Sequence, residues 1–218
     1  MKAGGQDDGL GLQGCISHTS IPPPRWCSLP HEASLYAPRL STDSMHFVLG
    51  VAPRCCCGFE PQTSGGFISQ SATVFGFTNK YEATIDVLPC PVCCHRRRLV
   101  GPDLGNIGIF NWNNLHLFTH ELLNAFTSAF TTSETPFSAF CATVRHSYEE
   151  HSLGNKFCSD ETFVRAWFAF VRLQKLDSGM TCPTCGPNPS VVIADGVSLG
   201  THSSKLTAVV KPPTYTDQ

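Results

Sequence analysis

"SATVFGFTNKYEATIDVLPC", residues 71–90, decides how this chain folds. Its two arms, around Val74-Phe75 and Ile85-Asp86-Val87, are rich in β-branched and aromatic side chains, and they flank the turn-forming Thr78-Asn79-Lys80. Two such arms about one turn predict a β-hairpin. Moving outward, Cys55-Cys56-Cys57-Gly58 stands ahead of the hairpin, and Cys90-Pro91-Val92-Cys93 stands behind it. A hairpin returns its second end to its first, so the two cysteine stretches are expected to converge.

Zinc favours four tetrahedral ligands, and thiolates spaced two or three residues apart clasp one ion from a tight turn. Cys55, Cys57, Cys90 and Cys93 are therefore the expected ligands of a zinc-ribbon-like unit, with zinc as cofactor. Metal binding of this kind supplies ~10–16 kcal/mol of apparent binding energy, enough to decide whether a small β unit folds. Cys56, Cys94 and His95 are spare donors. The alternative is a set of unligated core thiols. Against it stands the clustering of the 12 cysteines, most of which fall at 55–57, 90–94 and 182–185. Cys182-Pro183-Thr184-Cys185-Gly186 forms a further knuckle without an obvious second pair; Cys141, Cys158, His146, His151 and His202 are its available partners. A redox reading of Cys90-Pro91-Val92-Cys93 needs the first thiol at a helix N-terminus, where its pKa falls. Gly101, Pro102 and Gly105 cut off such a helix.

The rest of the composition narrows the function. A chain of 218 residues and 23.7 kDa with 41% hydrophobic residues and 15 Phe is long enough for one or two domains with a real core. Charged residues make up only 15%, which suggests that part of the surface is normally covered. With 15 Lys and Arg against 17 Asp and Glu, net charge gives no argument for nucleic-acid binding. No run approaches the roughly 18–20 apolar residues of a membrane span. The N-terminal "MKAGGQDDGLGLQGC" lacks the apolar stretch of a signal peptide, so a reducing compartment is expected and secretion is not.

Residues 1–44 are rich in Gly, Ser and Pro and predict a disordered leader, with Cys15 and Cys27 as free thiols. Residues 45–100 are the zinc-ribbon-like β unit, and 101–178 a helical segment. In the first helix Leu115, Phe118, Leu122, Phe126 and Ala129 recur at helical spacing. Thr135 and Pro136 start the second, whose face carries Phe137, Phe140, Cys141, Val144 and Tyr148. The third begins near Ser159-Asp160, carries Phe163, Trp167, Phe170 and Val171, and stops near Gly179. Residues 179–204 hold the knuckle and a short terminal β segment, and 205–218 a linker or tail. The expected class is α+β.

Other motifs carry less. His116 and His120 stand four apart on the expected first helix, but the order is not His-Glu-x-x-His. Arg96-Arg97-Arg98 reads as a solvated loop before it reads as a phosphate contact. There is no Walker loop, nucleophile elbow or dinucleotide fingerprint, so no nucleotide cofactor is expected. Asp195 ends the apolar run Val191–Ala194, where a metal-dependent site is often built; an Asp-Gly turn explains it equally. Two-metal phosphoryl chemistry needs several acidic ligands around ions about 4 Å apart, and only Asp217 follows.

The runs "GIFNWNNLHLFTHELLNAFTSAFTTSETPFSAFCATVRHSYEE", "FVRAWFAFVRLQ" and "MTCPTCGPNPSVVIADGVSLG", with the paired knuckles, resemble cysteine-cluster regions associated with Kyakuja-Dileera-Zisupton (KDZ) transposases, over about residues 50–212. The same region is similar to parts of transposon-derived animal proteins that carry HMG boxes. The resemblance implies DNA as a partner and a nuclear location, with the cytoplasm as the alternative; independently of it, Phe-rich helices that expose an apolar patch would suit a protein partner, and the lack of a spanning run predicts no membrane. It also implies that Asp195 matches the first acidic residue of an RNase H-like nuclease. The later acidic residues of that nuclease are missing from this chain. The resemblance therefore implies a non-catalytic zinc-binding module of transposase origin, with a truncated transposase fragment as the alternative.

Overall fold

Residue-by-residue alternation of burial builds this fold from its central hairpin. The computed structural model describes residues 14–24, 26, 44–50, 53–55, 58–60, 66–92, 98–151 and 154–174. Strand β3 (Ile68–Phe75) runs antiparallel to β4 (Lys80–Cys90), in register from Ile68 opposite Val87 to Phe75 opposite Lys80. The turn closes where the Gly76 N–H donates to the Asn79 carbonyl at 2.9 Å. The expected hairpin is present, with Lys80 already in the second arm.

Around it lies a larger sheet than a zinc ribbon requires. Strands β1 (Gly14–Cys15), β2 (His46–Phe47), β5 (Arg98–Val100), β6 (Ile109–Asn111) and β7 (His116–Thr119) complete seven, in the order β1-β5-β4-β3-β7-β6, with β2 also on β4. Neighbouring residues of a strand point to opposite faces. Val74, Ile109 and Leu117 accordingly join Phe47, Ala83, Ile85, Val87 and Leu104 in one core. Their neighbours Phe75, Phe110 and Phe118 enter a second core with the helices.

Three helices cover that second face: α1 (His120–Ser133), α2 (Phe137–His151) and α3 (Asp160–Val171). The Thr119 hydroxyl caps α1 by accepting from the Leu122 N–H at 3.2 Å, and Ser159 caps α3 by accepting from the Thr162 N–H at 3.2 Å. Phe126 is the hub of the helical layer, its ring centroid 4.2 Å from Phe137, 5.0 Å from Trp167 and 5.1 Å from Phe140. The mixed α+β class and the number of helices agree with the sequence.

Three placements differ from expectation, the simplest being that α3 ends at Val171, with a turn at 172–173, well before Gly179. The first helix starts at His120, not near Leu115, because β6 and β7 occupy 109–119. Within the expected leader, residues 14–24 are part of the fold. Ile21 is 3% exposed inside the helical core, and its N–H donates to the Leu173 carbonyl at 2.9 Å. Two buried isoleucines, Ile16 and Ile21, separated by polar residues leave no periodic trace in sequence. Cys27, the terminal β segment and the tail lie outside the described residues.

Candidate metal centre

Cys55 and Cys90, 35 positions apart in sequence, are buried in one small cluster with Val100, with Phe59 packed against it. They are 1% and 2% exposed. Each is the root of a cysteine-bearing loop. On one side the Cys55 N–H donates to the Phe59 carbonyl and the Gly58 N–H to the Cys55 carbonyl, both at 2.9 Å, closing a tight loop over positions 55–59. Gly58 has φ +82°, a conformation that L side chains rarely adopt, so a glycine is required there. Arg54 Nε pairs with Glu60 Oε1 at 2.9 Å across the base of this loop.

On the other side Cys90 is the last residue of β4 and lies opposite Arg98, the first of β5. Residues 91–97 therefore form the connection between two paired strands, and it is this connection that contains Cys93, Cys94 and His95. Cys57 and Cys93, like Cys182, Cys185 and Asp195, lie outside the described residues. Among the described residues no group of three or more His, Cys, Asp or Glu is arranged to hold an ion. The donor set nonetheless suits zinc: two buried thiols share a cluster, and each begins a short stretch with another sulfur two or three residues on.

The remaining cysteines of the helical layer are of another kind. Burial pushes the Cys141 thiol up to about 12, and does the same for Cys158. Such thiols are poor ligands and poor nucleophiles at neutral pH. His116 and His120 do not share a helix face. His116 is in β7, its ring stacked on Trp112 at 6.2 Å, and His120 is the first residue of α1.

Two polar clusters carry no motif that announces them. Asp86 in β4 accepts from Ser69 Oγ at 2.7 Å and bonds His46 Nε2 at 2.9 Å. Burial raises its pKa, but the Ser69 and His46 hydrogen bonds outweigh that and leave it below the ordinary carboxylate value. Both partners converge on the same oxygen, Oδ1, so the arrangement ties three strands together and is not a nucleophile–base pair. Asp103 forms the second cluster. Its carboxylate accepts from the Thr19 N–H and hydroxyl and from the Gly105 N–H, and lies 3.7 Å from His18 Nδ1. Burial opposes ionisation here too, yet these bonds hold the carboxyl far below its usual range. It fastens residues 18–20 to the loop after β5.

A seven-stranded sheet backed by three helices, with Cys55 and Cys90 buried together where β4 ends, defines a cysteine-cluster domain of mixed α and β structure. Residues 39–170 match the family described as a CxC4-like cysteine cluster associated with KDZ transposases, and the chain belongs to that family. The matched region contains Cys55, Cys57, Cys90 and Cys93 and stops before Cys182, Cys185 and Asp195. Comparison with curated proteins gave no match, and comparison with solved structures gave none.

Proposed function

We propose that this domain binds one structural zinc ion through Cys55, Cys57, Cys90 and Cys93, and that it serves a transposase-derived protein as a DNA-recognition module without catalytic activity of its own. The observation that carries the reading is the shared burial of Cys55 and Cys90, each at the start of a loop with a second sulfur. A bound zinc ion would supply cross-linking of the two loops and no chemistry beyond it. Cys182 and Cys185 are proposed to tie the chain after α3 to its last segment, and the nucleus is the proposed location. Among the described residues no helix is long and apolar enough to cross a membrane. The alternative of a nuclease fragment rests on Asp195 alone, and no feature of the described fold favours it.

Metal analysis of the purified chain tests the zinc half. About one equivalent or more of zinc per chain, with loss of fold on chelation, is expected. Less than about half an equivalent, with the fold indifferent to chelator, removes it. Titration with duplex DNA at two salt concentrations tests the partner, since phosphate contacts must weaken as salt rises. Absence of binding at the lower salt discards DNA.

A further inference from the structure

The segment that begins with β1 reaches the roots of both cysteine loops. Gly14 pairs with Leu99 and Cys15 with Val100 on β5, which begins directly after the 91–97 connection that contains Cys93. Val100 is fully buried in the cluster of Cys55 and Cys90. On the other side, the Ser17 hydroxyl donates to the Arg54 carbonyl at 2.9 Å, and Arg54 immediately precedes Cys55. The same few residues therefore brace β5 and the entry to the Cys55 loop from outside. Zinc–sulfur bonds of about 2.3 Å leave little play, so retention of an ion depends on both roots staying in place.

Beyond Ser17 the segment leaves the cysteine cluster. Thr19 donates its N–H and its hydroxyl to Asp103 Oδ2, at 2.8 Å and 2.7 Å. Ile21 is buried in the helical core, and its N–H donates to the Leu173 carbonyl at 2.9 Å. These footholds are separate from those at the cysteine loops. Single hydrogen bonds and one isolated apolar side chain open at lower free energy than the interior of a sheet. Residues 14–21 also precede the stretch 39–170 that matches the family, so they brace the cysteine-cluster region from outside it.

We propose that residues 14–21 are a latch on the zinc centre. Seated, they hold the Cys55 loop against Cys90. When the Thr19–Ile21 end lifts, the loop parts from β4, and its thiolates give up the ion to a competing chelator and take up protons. The latch presupposes zinc at Cys55, Cys57, Cys90 and Cys93, as proposed. The coupling is reciprocal: whatever loosens the latch weakens zinc binding by the factor with which zinc tightens the latch.

Zinc transfer from the loaded full chain to the chromogenic chelator pyridylazoresorcinol is followed with Cys182→Ser and Cys185→Ser in place, so that one centre is read. Ile21→Ala is expected to speed transfer at least about fivefold, although Ile21 belongs to the helical core and not to the cysteine cluster. Ser17→Ala is expected to speed it about threefold. Val144→Ala, a truncation on α2 in the same helical core, is the control for lost stability alone and is expected to change the rate less than about twofold. Equal acceleration by Ile21→Ala and Val144→Ala overturns the latch. Should Ile21→Ala fail to fold, hydrogen exchange on the unaltered zinc-loaded chain decides. The Thr19 and Ile21 amides are expected to exchange faster than those of β4, and exchange only together with β4 overturns the latch. A loaded chain whose transfer rate is the same in every variant removes the latch and leaves the centre; a chain that carries no zinc removes both.

Discussion

At Gly101, one hydrogen atom in place of a methyl group holds a buried network together. A Cβ at this position would stand 1.7 Å from Oδ1 of Asn114. Asn114 Nδ2 donates to the Leu99 carbonyl at 2.8 Å, its Oδ1 accepts from Asn111 Nδ2 at 2.9 Å, and its N–H donates to Asn111 Oδ1 at 2.9 Å. Gly101→Ala must displace that amide and strand its partners, so a loss of about 2–4 kcal/mol is expected from urea unfolding. Gly50→Ala meets nothing within 4 Å and is expected to change stability by less than about 1 kcal/mol. Equal effects of the two would contradict the network's role. His120 makes the second prediction at this scale. Burial lowers its pKa from 6.5 to about 4, so the unfolded chain takes up the proton first. Its contribution to stability is intact above about pH 6.5 and falls as pH drops towards 4. Between pH 7 and pH 5 the loss is about 2 kcal/mol, and His120→Phe is expected to remove that part of the slope. An unchanged slope would contradict the burial of a neutral imidazole. Neither site was legible beforehand: "NWNN" looks like any polar turn, and a histidine at the start of a helix carries no sign in sequence that its ring is buried.

Among the elements, the hairpin was fully legible because alternation, turn residues and flanking cysteines agree on one answer. The start of the first helix was not. Leu115, Phe118 and Leu122 fall at helical spacing, but Leu117 and Phe118 are buried on opposite faces of the sheet, in different cores. A four-residue strand running directly into a helix leaves a pattern that satisfies both periods, and the Thr119 cap marks the true boundary. Helix and hairpin are joined by Tyr148, whose hydroxyl lies 2.9 Å from the Gly76 carbonyl and 2.8 Å from that of Asn79. Tyr148→Phe leaves both turn carbonyls without that donor and keeps the ring packing. It is expected to cost about 1–2 kcal/mol in urea unfolding and to speed hydrogen exchange of the turn amides. A variant with unchanged midpoint and exchange would show that α2 does not brace the hairpin.

For the whole molecule, the sheet does what the sequence asked of a simple ribbon, by a larger construction. Long β4 spans from the hairpin turn to the cysteine cluster, so the same strand that fills the core delivers Cys90 to Cys55. The class, the helices and the meeting of these two cysteines were readable because each depends on local pattern or on hairpin closure. The inclusion of residues 14–24 was not, because it rests on isolated contacts such as the Asp103 bonds and the Ile21 backbone pairing. The central claim is that Cys55, Cys57, Cys90 and Cys93 surround one ion. X-ray absorption at the zinc edge, on the chain carrying Cys182→Ser and Cys185→Ser, tests it most directly. A shell of four sulfurs at about 2.3 Å is predicted, reduced to three by Cys90→Ser. A shell dominated by nitrogen or oxygen, or a chain that retains no zinc, would contradict it.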